Sequence, residues 1–114
     1  MKEEFVNALM EKYSFFYRDP EKKVYKKYPK QAISEDVSDE WYGVICKLCE
    51  ELYWYFKEIE YPVRFMFIEI RVREQHLQIY YLLTGGNSVV SNRIDEIIEK
   101  YEEIQGGEYG KKMK

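Results

Sequence analysis

At 114 residues the chain is sized for one domain around one hydrophobic core, not for several. Its formal net charge of −3 works against non-specific nucleic-acid binding by the molecule as a whole. Two Cys, no leader-like start and no uncharged stretch near the roughly 20 residues of a membrane span lead us to expect a reduced, cytoplasmic protein.

Residues 3–17 carry Phe5, Leu9, Tyr13 and Phe16 on one helical stripe, and Glu3 and Glu4 suit the positive end of the helix dipole. Asp19-Pro20 ends that pattern. From Arg18 to Lys30 six basic and two acidic residues give a local charge of +4. Lys22, Lys23, Lys26 and Lys27 interleave there with Tyr25 and Tyr28. Cations spaced among aromatics hold a nucleic-acid backbone and stack its bases. The same composition also makes an ordinary solvated, edge-protecting loop.

Residues 39–59 read as the strongest helix, with Ser38 as N-cap and Trp41, Ile45, Leu48, Leu52, Tyr55 and Ile59 at helical spacing. Cys46-Lys47-Leu48-Cys49 falls inside this helix. A redox pair sits at a helix start, and a zinc site needs about four ligands, so two packing thiols are expected here. No metal and no cofactor are expected.

The stretch from Pro62 to Thr84 alternates in two runs and reads as an antiparallel hairpin. Met66, Ile68, Ile70 and Val72 are assigned to its inner face, with Leu77, Ile79, Tyr81 and Leu83 opposite them. Gln75-His76 is a poor centre for a two-residue turn, so a four-residue loop is expected, pairing Val72 with Ile79 and Ile70 with Tyr81. Gly85-Gly86-Asn87 makes a turn. Ser88 or Ser91 caps a last helix to about residue 105, and Gly106-Gly107 stops it.

The expected architecture is α+β, a small single domain over 1–107 in the order α-(loop)-α-β-β-α. An antiparallel hairpin is covered by helices on one face, and 108–114 form a flexible tail. The outer hairpin face then presents Phe65, Phe67, Glu69, Arg71, Arg73 and Tyr80. Arg and Tyr are enriched at binding hot spots, so these six are the candidate partner-binding residues. A catalytic His needs an orienting carboxylate and a nucleophile, and His76 in the turn has no such set. No catalytic residue is assigned.

The chain resembles a family of small, mostly uncharacterised phage and prophage proteins. The matching residues are Trp41-Tyr42 at a helix start, Leu48-Cys49 within it, Arg71-Val72-Arg73-Glu74, the strand ending Tyr80-Tyr81, and the acidic helix from Ile94. Met10-Glu11-Lys12-Tyr13 near the N-terminus is similar as well. Glu40 stands where the family tends to have Gly, Gln75-His76 lacks the usual Phe-Gly, and the family's C-terminal cysteine pair is absent. The resemblance implies a phage or mobile-element origin and a host-cell cytoplasmic location. The resemblance carries no activity with it. Small size, an acidic balance, an aromatic share of 18% and the lack of a catalytic set, taken with the phage-like pattern, lead us to expect a non-catalytic protein-binding module, a phage-encoded inhibitor of a bacterial defence system such as a CRISPR effector. Self-association through Phe65, Phe67 and Tyr80 is compatible with it. The alternative is a nucleic-acid or nucleotide binder using residues 22–30.

Overall fold

The computed structural model describes residues 1–16, 32–59 and 63–104. Helix α1 spans Glu3–Lys12, helix α2 Tyr42–Glu58 and helix α3 Ser88–Glu102. Strands β1, Arg64–Arg73, and β2, His76–Thr84, form a two-stranded antiparallel sheet. The molecule is thus a small α+β fold in the order α-α-β-β-α. Residues 17–31 and the expected tail lie outside the described residues.

Helix α1 is shorter than its apolar stripe suggests. Tyr13 turns extended, and Ser14–Phe16 wind into a short 3-10 turn. That turn swings Phe15 and Phe16 onto the sheet. Before α2, Ser38 holds extended backbone and opens a 3-10 turn, Asp39–Trp41, its carbonyl accepting from the Trp41 N–H at 3.1 Å; its side chain makes no cap. Asn87, not Ser88 or Ser91, caps α3, its side-chain oxygen accepting from the Val90 N–H at 3.1 Å. The preceding turn needs glycine at Gly86: its φ is +80°, and a Cβ there would meet Val63 at 3.2 Å.

The hairpin departs from expectation in two places. Arg73 pairs directly with His76, so the loop is the two residues Glu74-Gln75, with φ of 53° and 66°. Two left-handed residues are what a type I′ turn requires, because its twist matches that of the strands. Neither residue favours that region, so matched strand twist and pairing outweigh a local cost of about 1 kcal/mol each.

The second departure is a β-bulge. From Val72↔Leu77 to Glu69↔Tyr80 the pairing is regular, but the next partners are Phe67↔Tyr81, leaving Ile68 unpaired. One extra residue on one strand reverses which side chains face inward beyond it. Ile70 is therefore buried below the bulge, while above it Phe65 and Phe67 are buried and Ile68 is 53% exposed. The expectation that Met66 and Ile68 face the core, and that Phe65 and Phe67 face outward, is corrected.

The inward phenylalanines build the core. Phe65 and Phe67 meet at 5.0 Å and 87°, Phe15 meets Phe65 at 5.4 Å and 85°, and Phe16 meets Phe67 at 5.1 Å. Tyr81 stacks on Phe65 at 5.2 Å. Edge-on aromatic pairs add about 0.5–1.5 kcal/mol each beyond the area they bury. Ile45, Leu48, Leu52, Ile94 and Ile97 close the core from α2 and α3.

Both edges of the ribbon meet groups of the same chain. Ile33 bridges Ile70 in parallel, the Ser34 N–H donates to the Ile70 carbonyl at 2.9 Å, and the Val72 N–H donates to Asp36 at 3.4 Å. On the other edge the Ile79 N–H donates to the Glu102 carboxylate at 2.8 Å.

The bulge makes adjacent residues unequal. Phe67→Ala is expected to cost about 3–5 kcal/mol, the usual loss for a buried Phe. Ile68→Ala is expected to stay within about 0.5 kcal/mol. Urea denaturation of both variants checks this, and the reverse order would contradict the assigned faces.

Candidate functional site

The outer face of the hairpin is built by cross-strand rows. Arg73 lies opposite His76, Arg71 opposite Gln78, Glu69 opposite Tyr80, Met66 opposite Leu82, and Ile68 protrudes at the bulge. Ile68, Tyr80 and Leu82 are each about half exposed, at 53%, 48% and 50%. Together with half-buried Met66 they form an apolar patch in the upper rows. The lower rows are charged: Arg71 reaches Glu69 at 3.7 Å, with both side chains a little under half exposed.

Of the six expected partner-binding residues, the structure brings Glu69, Arg71, Arg73 and Tyr80 together on this face. Phe65 and Phe67 are not on it. At 4% and 3% exposure they are core residues, because the bulge turns them inward. Those two rings therefore offer almost no surface to a second copy in this fold. Ile68 and Met66 take their places outside. Lys22, Lys23, Tyr25, Lys26, Lys27 and Tyr28 lie outside the described residues.

Sequence reasoning passed over Trp54. It projects from α2 at 58% exposure, and its ring lies 5.4 Å from that of Tyr53. Its helical neighbours Lys47, Glu50, Glu51, Lys57 and Glu58 are all charged, and a lone Trp on such a polar face is the signal that could have found it.

The remaining candidates resolve into structural roles. Cys49 is fully buried; burial pushes its thiol well above the ordinary range, and nearby Cys46 adds to this, so it stays protonated and unreactive. The Nδ1 of His76 lies 3.1 Å from the Glu102 carbonyl and ties the end of α3 to the start of β2. The Tyr81 hydroxyl donates to Asp95, and burial, then Asp95, Glu102 and Glu99, push its pKa up, so it remains a donor. Among the described residues, no group of three or more His, Cys, Asp or Glu side chains comes together to hold a metal ion. Among them too, no helix is long and apolar enough to cross a membrane.

A polar link joins α2 to α3. The Lys100 Nζ donates to Glu51 at 2.6 Å and 2.7 Å, and the Tyr101 hydroxyl donates to Glu51 at 2.9 Å. Partial burial would raise the Glu51 pKa, but the bonds from Lys100 and Tyr101 outweigh it and hold the carboxyl below its ordinary value.

No protein-family model matches the chain, and no curated protein and no solved structure matches it.

Because the folded pKa of Glu51 is lowered, its stabilising contribution is present above the unfolded value of about 4.3 and is lost as pH falls through the folded value. Glu51→Gln is expected to cost about 0.5–1 kcal/mol at pH 7, discounted for the exposure of Lys100. Urea midpoints of variant and parent should converge in the acid range.

Proposed function

We propose that this protein is a non-catalytic protein-binding module that meets its partner through the outer face of the β1–β2 hairpin. The observation that carries this reading is the patch of Met66, Ile68, Tyr80 and Leu82, bordered by Glu69 and Arg71 on the paired ribbon. An apolar centre with a charged border is how protein interfaces are built: the centre contributes desolvation, and the border selects orientation. Tyr80 is the expected hot spot, with an amphipathic ring that is already half presented.

The narrower form of the reading is a phage-encoded inhibitor of a bacterial defence system such as a CRISPR effector, acting in the host cytoplasm. It rests on the resemblance of the Trp41-Tyr42, Leu48-Cys49 and Tyr80-Tyr81 stretches to small phage proteins. A second reading, a nucleic-acid or nucleotide binder, rests on the +4 charge between Arg18 and Lys30 with Tyr25 and Tyr28 interleaved.

The inhibitor reading is tested by expressing the protein in bacteria with active CRISPR interference and counting phage plaques. Wild type is expected to restore plaquing, and the folded double variant Tyr80→Ala/Leu82→Ser to lose it. Loss of about 2 kcal/mol of binding, roughly thirtyfold in affinity, is the scale for one hot-spot residue. Plaquing unaffected by wild type removes the inhibitor reading, and equal activity of the double variant removes the face. A dimer in light scattering that Leu82→Ser dissociates would assign the patch to a second copy instead.

The nucleic-acid reading makes its own forecast. Replacing Lys22, Lys23, Lys26 and Lys27 by Glu should abolish retention on single-stranded DNA at low salt. Retention that survives the replacement takes that role away from the segment.

A further inference from the structure

The outer hairpin face changes character along its length. Its upper rows hold Met66, Ile68, Tyr80 and Leu82, and its lower rows hold Glu69, Arg71 and Arg73. The Arg71 guanidinium is engaged by Glu69 at 3.7 Å. Arg73 stands one outward row further down, is exposed, and forms no ion pair among the described residues, with Glu74 of the turn or any other carboxylate. A guanidinium left open beside an apolar patch is matched by a carboxylate, which its planar fork holds through two parallel bonds.

The shape of the face limits what can bring that carboxylate. Both edges of the ribbon are engaged by the chain's own groups, so a partner is obstructed from joining as a third strand. The broad side is two strands wide. Strands about 4.8 Å apart make it roughly as wide as one α-helix with its side chains, about 10 Å. Ile68 and Arg73 are separated by about 16 Å of strand, a distance that about eleven helical residues span. Met66 and its partner Leu82 lie about 7 Å the other way, or about four helical residues. Positions i−4, i and i+11 fall on one side of an α-helix, since about 3.6 residues make a turn.

We propose that the outer face receives an amphipathic helix of a partner protein. Apolar side chains at its positions i−4 and i cover Met66, Leu82 and Ile68, and Asp or Glu at i+11 meets Arg73. This inference rests on the outer-face reading and specifies the form and charge of the partner.

The test presents the immobilised full chain with two displayed peptide libraries of about sixteen residues, the length set by the spacing above. One has an Ala-rich frame that favours helix, the other an alternating Thr/Val frame that favours strand. Enrichment is expected from the helical library alone, with large apolar residues at i−4 and i and Asp or Glu at i+11. Tyr80→Ala/Leu82→Ser should retain none of the enriched peptides. Arg73→Glu, an exposed change that should leave the circular dichroism spectrum unaltered, should bind the best peptide at least about tenfold more weakly, the scale for losing a charge pair across an interface. Used as bait, the same variant should select Lys or Arg at i+11. Enrichment from the strand library, absence of a charge preference at i+11, or an acidic preference that persists with Arg73→Glu overturns the proposal. A dimer in light scattering that Leu82→Ser dissociates gives the face to a second copy and overturns it too. Failure of the helical library while plaque restoration still needs Tyr80 and Leu82 removes the helix and leaves the outer face standing; plaque restoration independent of those two residues removes the outer face itself.

Discussion

The structure depends on the extra residue at Ile68. A two-stranded ribbon has one inner face, and ten residues of β1 have to supply it. Without the bulge, the strand would present either Ile70 with Ile68 and Met66, or Phe65 and Phe67 with polar residues below. With it, Ile70 is buried in the lower rows and both phenylalanines in the upper ones. The inner face is then apolar along its whole length, and the aromatic residues at its upper end receive Phe15 and Phe16 from the N-terminal segment. The bulge also sets the composition of the opposite side. Each large ring turned inward leaves an aliphatic side chain turned outward.

The helices are fastened to this ribbon by a few polar ties at its lower end and between α2 and α3. Glu102 works twice, its carboxylate accepting from the Ile79 N–H while its carbonyl lies within hydrogen-bond reach of His76. Glu51 gathers Lys100 and Tyr101 and joins the middle of α2 to the last turn of α3. These ties are partly exposed, so each is modest in energy. They determine how α3 sits on β2 more than whether the chain folds, which is decided by the apolar residues beneath them.

Element types and order were legible from periodicity alone: three amphipathic helical stripes, one alternating pair of runs, and glycine where the chain turns into α3. What was not legible was the frame of β1. Its sequence contains two interleaved alternations, Phe65 and Phe67 on odd positions and Met66, Ile68, Ile70 and Val72 on even ones. A regular strand can satisfy only one of them. The conflict itself was the signal of a bulge, since the larger rings gain more by burial than Met66 or Ile68. Loop length is hidden from the sequence for a related reason. Turn preferences favour Asn-Gly, but strand pairing held Glu74-Gln75 in a left-handed turn against local preference. At the candidate site, Glu69, Arg71, Arg73 and Tyr80 were correctly placed outside because they lie below the bulge, where the frame was right.

The closed sides of the ribbon carry one more consequence. A lone pair of strands is a natural seed for sheet growth, since each flank offers main-chain groups to any passing extended segment. Here Ser34 and Asp36 occupy one flank and Glu102 the other. Addition of a foreign strand is obstructed at the centre of both. Whatever docks on the broad side must read side chains and not backbone. Those side chains carry little of the folding energy, so they are free to diverge, and the same scaffold can be redirected to new targets by exchanging a handful of residues while its interior stays as it is.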